Sequence, residues 1–195
     1  MVSFEISSFA PLALGFFGLG TGYLIWGPQE LFGWPARDEA VDRAVGTWGI
    51  WMPGFCQFVT GIILFIGLTW IQVFDDAPLY MAALAFSAYG IHWFALGWNR
   101  YRQNDGRPNA GMAVAYTILS VLGMVVFFSV SGGWPVGLLF LGLTAVYVTD
   151  FINSVNIPGG LQLHGIAHLI TGLWLMYLTF GTTLNIALNF NLPAG

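Results

Sequence analysis

The chain has 195 residues, of which 57% are hydrophobic and 7% charged, against roughly 25% charged in a soluble domain. Five Arg, no Lys and nine acids give a net charge of −4. This balance leaves no basic stripe for nucleic acid, and the lone Cys56 excludes an intrachain disulfide or a Cys-rich metal framework. The mean hydropathy of +0.75 points to a bilayer as the principal neighbour.

A helix crosses the hydrocarbon core in about 20 apolar residues, and six stretches are that long. The first is 9–32, free of charge until Glu30. The second, 45–71, carries no charge at all, and Pro53 inside it predicts a local kink. The third is 77–98, the fourth 111–130, and the fifth 134–152 with Asp150 near its end. The sixth, 161–184, contains His164 and His168. No cleaved signal peptide is expected, because Met1 to Ser8 lacks a positive n-region. The predicted fold is all-α: one domain over 1–195, a polytopic membrane protein of six transmembrane helices.

The connections are short and hold nearly all the charge: Arg37 and Arg43 in the first, Arg100, Arg102 and Arg107 in the third. With six spans these two loops share a side, and the positive-inside rule makes that side cytoplasmic. Trp26, Trp34, Trp48, Trp70, Trp98 and Trp134 fall near span ends, where an aromatic belt belongs. Glycine accounts for 26 residues. The Gly18/Gly22 pair has the small-xxx-small spacing that lets helix backbones approach, and helices packed so closely can still surround a narrow pore.

Several residues bear on function. Gln57 places a primary amide inside an apolar span, which is expensive unless paired, so it faces a neighbouring helix or a polar pathway. The ionisable groups in or near the membrane are Glu30, His92, Asp150, His164 and His168. His164 and His168, four apart, share a helical face and are candidates for proton handling or gating, as is Asp150. A shared metal fits that spacing, but no acid nearby in sequence completes a ligand set, so no metal is expected. A satisfied structural pair is the plainer reading. His92 with His164 or His168 could ligate a haem across two helices, the redox alternative. No catalytic triad, P-loop or dinucleotide fingerprint stands in a helical context that suits it. An enzyme is not expected, and no cofactor is assigned.

Four stretches together resemble the acetate and succinate uptake transporter family. Ala10-Pro11-Leu12 with Leu14 is similar to the Ala-Pro-Leu core and final Leu of its first-helix motif. Gly54-Phe55-Cys56-Gln57-Phe58-Val59-Thr60-Gly61 is similar to Gly-Ile-Ala-Gln-Phe-x-x-Gly. Ala85-Phe86-Ser87-Ala88-Tyr89-Gly90-Ile91-His92-Trp93 resembles Ala-Phe-Thr-Ser-Tyr-Gly-x-Phe-Trp. Gly172, Tyr177, Gly181, Leu184 and Asn185 are similar in spacing to the last helix. Leu64 stands where the family has a Glu, and the family's Gly-Asn-Thr turn before the third helix is missing here.

The resemblance implies a narrow hydrophobic constriction in each protomer of a homo-hexamer. Phe17, Tyr89 and Leu143 would form it, with Gln57, Thr144 and Pro11 along the substrate path. It also implies a small monocarboxylate such as acetate, or succinate, as the substrate, and a plasma or inner membrane location. With no Lys or Arg in any span, a crossing carboxylate would depend on hydroxyls, amides and helix N-termini, of which the Ser7-Ser8 start supplies one. An uncharged lining equally suits small neutral solutes such as urea or ammonia. A third class is a non-transporting subunit of a membrane assembly.

Overall fold

The computed structural model describes residues 10–194. The expectations for Met1 to Ser8, for the Ser7-Ser8 cap and for a span beginning at residue 9 lie outside that range. Among the described residues there are six long helices and no strand. They are α1 (Leu12–Phe32), α2 (Glu39–Trp70), α3 (Pro78–Arg102), α4 (Asn109–Ser129), α5 (Trp134–Ser154) and α6 (Gly160–Leu188). Helices α2 to α6 are long and apolar enough to cross a membrane, so the chain is built as a multi-pass membrane protein. Helix α1 has 21 residues, but its last turns carry Pro28, Gln29 and Glu30, which lower its apolar content.

Helix α2 begins six residues earlier than the apolar run at 45. Asp38 caps it, its carboxylate accepting from the Val41 N–H at 2.8 Å, and Glu39 and Asp42 in the first turn suit the positive end of the helix dipole. The connection expected over 33–44 is therefore half helical. Pro53 lacks the N–H that an α-turn requires. The backbone around it widens into a π-helical stretch over Ile50–Phe55, the form the expected kink takes.

The helices pack side by side in chain order, and α6 closes on α1, so the six form a ring. Glycines set the closeness of this packing. A Cβ on Gly97 of α3 would stand 2.6 Å from the Gly46 carbonyl oxygen of α2, and one on Gly46 would stand 2.5 Å from the Gly97 oxygen. Gly18 and Gly22 lie against Cys56 and Pro53, bringing α1 onto the π-helical stretch. Outward faces carry large apolar side chains, as Ile118, Leu122 and Val125 do on α4, which suits contact with lipid.

Trp34, Trp70, Trp98 and Trp134 are exposed near helix ends, as a belt requires, while Trp48 is exposed but lies nine residues into α2. Trp26 is not part of the belt. It is buried, with the Arg100 guanidinium 5.4 Å from its ring centroid. Arg100 and Arg37 converge on Asp42: Arg100 Nε donates to Asp42 Oδ1 at 2.9 Å, and Arg37 donates to both carboxylate oxygens at 3.1 and 2.9 Å. This joins the first loop to the end of α3, placing the first and third loops at the same end of the ring. Beyond α6, the Asn185 side chain holds the tail, donating to the Leu192 carbonyl and accepting from its N–H, both at 2.8 Å.

Candidate functional site

Two cavities enter the ring from opposite ends. The first, about 280 Å³, opens beside exposed Asp76 and the Ser131–Gly133 turn and is walled by Phe16, Leu19, Phe86, Tyr89, Phe127 and Leu143. Gln57, fully buried, also lines it. The second, about 270 Å³, opens between Arg37 and Asn104 and is lined by Trp93, Arg100, Glu30, Asp150, His164 and His168. One cavity is almost wholly apolar; the other gathers most of the buried charge.

The helices show how close the two cavities come. Along α3, Tyr89 lines the first and Trp93 the second, four residues or about 6 Å of helix rise apart. Along α1 the sequence runs Leu19, Tyr23, Trp26, and along α5 it runs Leu143, Tyr147, Asp150. Each of these has one tyrosine between the cavity walls and spans about 10 Å.

The neck between them is a packed set of rings. Tyr89 stacks on Tyr147 at 5.6 Å, Tyr147 meets Tyr116 at 5.2 Å, and Tyr23 meets Trp93 at 5.9 Å and the His168 ring at 4.5 Å. The Tyr89 and Ser120 hydroxyls share a hydrogen bond of 2.9 Å. Tyr23, Tyr89, Trp93 and Tyr147 are each at most 2% exposed.

Several buried polar atoms have no hydrogen-bond partner among the described residues: both amide atoms of Gln57, the Tyr23 hydroxyl, Trp93 Nε1 and His92 Nε2. Buried polar atoms are ordinarily paired, and leaving one unpaired costs about 1–3 kcal/mol. Gln57 lines the first cavity and Trp93 the second, so two of these residues border space that a polar solute or water could occupy.

Of the residues read from sequence, Tyr89, Leu143 and Gln57 line the first cavity. Phe17 does not. It faces outward and is 45% exposed, while Phe16, 2% exposed, takes the inward position. The register explains the correction: Leu12, Phe16, Leu19, Tyr23, Trp26 and Glu30 follow the 4-3-4-3-4 spacing of one helical face, and Phe17 falls about 100° off it. Thr144 is half-buried, lies outside both linings, and donates its hydroxyl to the Phe140 carbonyl at 2.8 Å. Pro11 is half-buried at the entrance to α1, one residue before Leu12 of the lining.

His164, His168 and Asp150 all line the second cavity. The acid missing from their neighbourhood in sequence comes from the other end of the chain: Glu30 Oε2 lies 2.6 Å from His168 Nδ1. The reason for expecting no metal is thereby removed, because Glu30, His164 and His168 each bring a ligand atom to within 4.8 Å of the others. His92 is enclosed by rings, with Tyr116 at 4.7 Å and Tyr147 at 5.5 Å. It lines neither cavity, whereas Phe86 and Tyr89 of the same motif line the first and Trp93 the second.

Sequence reasoning missed Tyr23, Tyr147 and Arg100. Tyr23 was detectable in the α1 face spacing, and Tyr147 stands four residues after Leu143, one turn along the same face. Nothing local marks Arg100 as buried. No protein-family model matches the chain, and no curated protein matches it in sequence.

Proposed function

We propose that the chain is a six-span membrane channel or transporter that passes a small monocarboxylate, acetate being the first candidate, along the axis of its helix ring. Gln57 carries this reading: a fully buried amide, unpaired at both atoms among the described residues, that lines an apolar cavity. A primary amide offers an N–H donor and a carbonyl acceptor side by side. That pair complements a carboxylic acid, whose carbonyl accepts and whose hydroxyl donates, while Leu143, Phe86 and Leu19 contact its short alkyl group.

The path is uncharged from Leu19 to Tyr23 on α1 and from Phe86 to Trp93 on α3, so the solute is carried through the neck as the neutral acid. Glu30, Asp150 and the two histidines on the far side can accept its proton, which makes transport proton-linked. The similarity in motif to the acetate and succinate uptake family supports the same substrate class, and with it a homo-hexameric assembly with one path per chain.

A second reading is a channel for small neutral solutes such as urea. The same unpaired amide and uncharged neck favour it. Uptake of labelled acetate and labelled urea into proteoliposomes, each against empty liposomes, separates the two. Protein-dependent acetate flux that unlabelled acetate competes supports the first reading. Urea flux alone supports the second. Flux of neither, with the protein inserted and folded, overturns both.

A further inference from the structure

The most concentrated set of donor groups outside the neck is Glu30 of α1 with His164 and His168 of α6. All three are buried, and the two imidazole centroids are 4.0 Å apart. One ligand atom from each lies within 4.8 Å of the other two. The set opens onto the second cavity, which reaches the surface beside Arg37 and Asn104, so an ion has an entry route.

The surroundings orient at least one of these ligands. The Thr149 hydroxyl lies 2.8 and 2.9 Å from the Ala145 and Val146 carbonyls and 3.0 Å from His164 Nδ1. It has a single hydrogen for three acceptors; where a carbonyl takes it, the hydroxyl oxygen accepts from His164 Nδ1–H. In that arrangement His164 is the tautomer whose Nε2 lone pair is free. A ring nitrogen anchored to an oxygen, leaving the other to bind, is the outer support that metal-ligating histidines ordinarily have.

Charge points the same way. Glu30 and Asp150 are both buried around this cavity, and buried carboxylates are costly without a positive partner. The buried guanidinium nearby, Arg100, is engaged by Asp42 and the Gln29 side-chain amide oxygen Oε1. A divalent cation would supply a positive partner to Glu30 and Asp150 whenever both are ionised.

We propose that Glu30, His164 and His168 form a binding site for a divalent transition-metal ion of the zinc class, with Asp150 facing it across the cavity. Two imidazoles and one carboxylate favour zinc, cobalt, nickel or iron(II) over magnesium or calcium, which prefer all-oxygen shells. Bonds of about 2.1 Å require ligand atoms roughly 3–4 Å apart, so on binding the 2.6 Å Glu30–His168 contact opens while the wider separations in the set, none above 4.8 Å, close. The remaining position faces the cavity.

The test uses the full-length protein, purified in detergent and stripped with a chelator. Zinc is titrated by calorimetry and cobalt(II) by its visible absorption. The expected result is one saturable ion per chain, with zinc affinity falling roughly tenfold or more in His164→Ala and in Glu30→Gln. His92→Phe, outside the set, should keep the wild-type affinity. Thr149→Val should weaken binding while leaving every ligand in place. No saturable uptake by the folded wild type overturns the proposal, as does equal affinity in wild type, His164→Ala and Glu30→Gln. Binding is read directly, so the outcome does not depend on which solute, if any, the chain passes.

Discussion

Glu30 and His168, 138 residues apart in the chain, meet through a 2.6 Å contact between Oε2 and Nδ1 where the first and last helices close the ring. Both side chains are nearly inaccessible, at 8% and 4%. The contact joins the seam of the ring to the cavity that holds the rest of its buried charge. Glu30→Gln keeps the shape and one hydrogen bond but removes the charge. It should lower thermal stability by about 1–3 kcal/mol, read as a shift in unfolding midpoint in detergent, without releasing α1 from α6.

The inward position on α1 is held by Phe16. Phe16→Ala enlarges the first cavity and is expected to destabilise the fold by about 3 kcal/mol and to change the acetate flux. Phe17→Ala, on the outer face, should leave the flux of the isolated protomer path unchanged. Uptake measured on both variants side by side decides which aromatic narrows the path. An effect at Phe17 with none at Phe16 would contradict the register described above.

Gly97 and Gly46 hold α3 and α2 together by mutual backbone contact. Gly97→Ala puts a methyl 2.6 Å from a carbonyl oxygen, and backbone cannot rotate away as a flexible side chain can. We expect a loss of about 1–3 kcal/mol, seen as a lower unfolding midpoint. Gly111→Ala, where nothing lies within 4 Å, should stabilise helix α4 or leave it unchanged.

Asp42 is the common acceptor for Arg37 and Arg100. Asp42→Asn removes the charge that balances a largely buried Arg100, whose side chain is 11% exposed. The expected cost is about 2 kcal/mol, larger than for removing an exposed pair. Asp105 and Arg107 provide the comparison. Their pair lies in the loop after α3, where hydrogen bonds from Arg107 hold the Asp105 carboxyl down to about 2. The sign follows: its folded value is depressed, so any stabilisation is present above the ordinary carboxylate range and disappears as pH falls towards 2. Being fully exposed, the pair should have no measurable effect when Asp105→Asn is made at neutral pH.

Much of the helical plan was legible in the apolar runs, because bilayer thickness fixes span length and charge marks the connections. The start of α2 was not, since Glu39, Asp42 and Arg43 read as loop charge until Asp38 is seen to cap a helix. The α1 site face was present in the 4-3-4 spacing from Leu12 to Glu30, but motif resemblance pointed one residue along, to Phe17. What no local pattern could reveal was convergence between distant residues. Glu30 with His168, and Asp42 with Arg100, become neighbours only because the ring closes.

The most direct measurement of the central claim is labelled acetate uptake by proteoliposomes holding wild type or Gln57→Leu, with insertion and unfolding midpoint recorded for both. Removing an unpaired buried amide should leave the midpoint unchanged or raise it, while acetate uptake falls at least tenfold. A stable Gln57→Leu that takes up acetate at the wild-type rate would contradict a solute path through the neck.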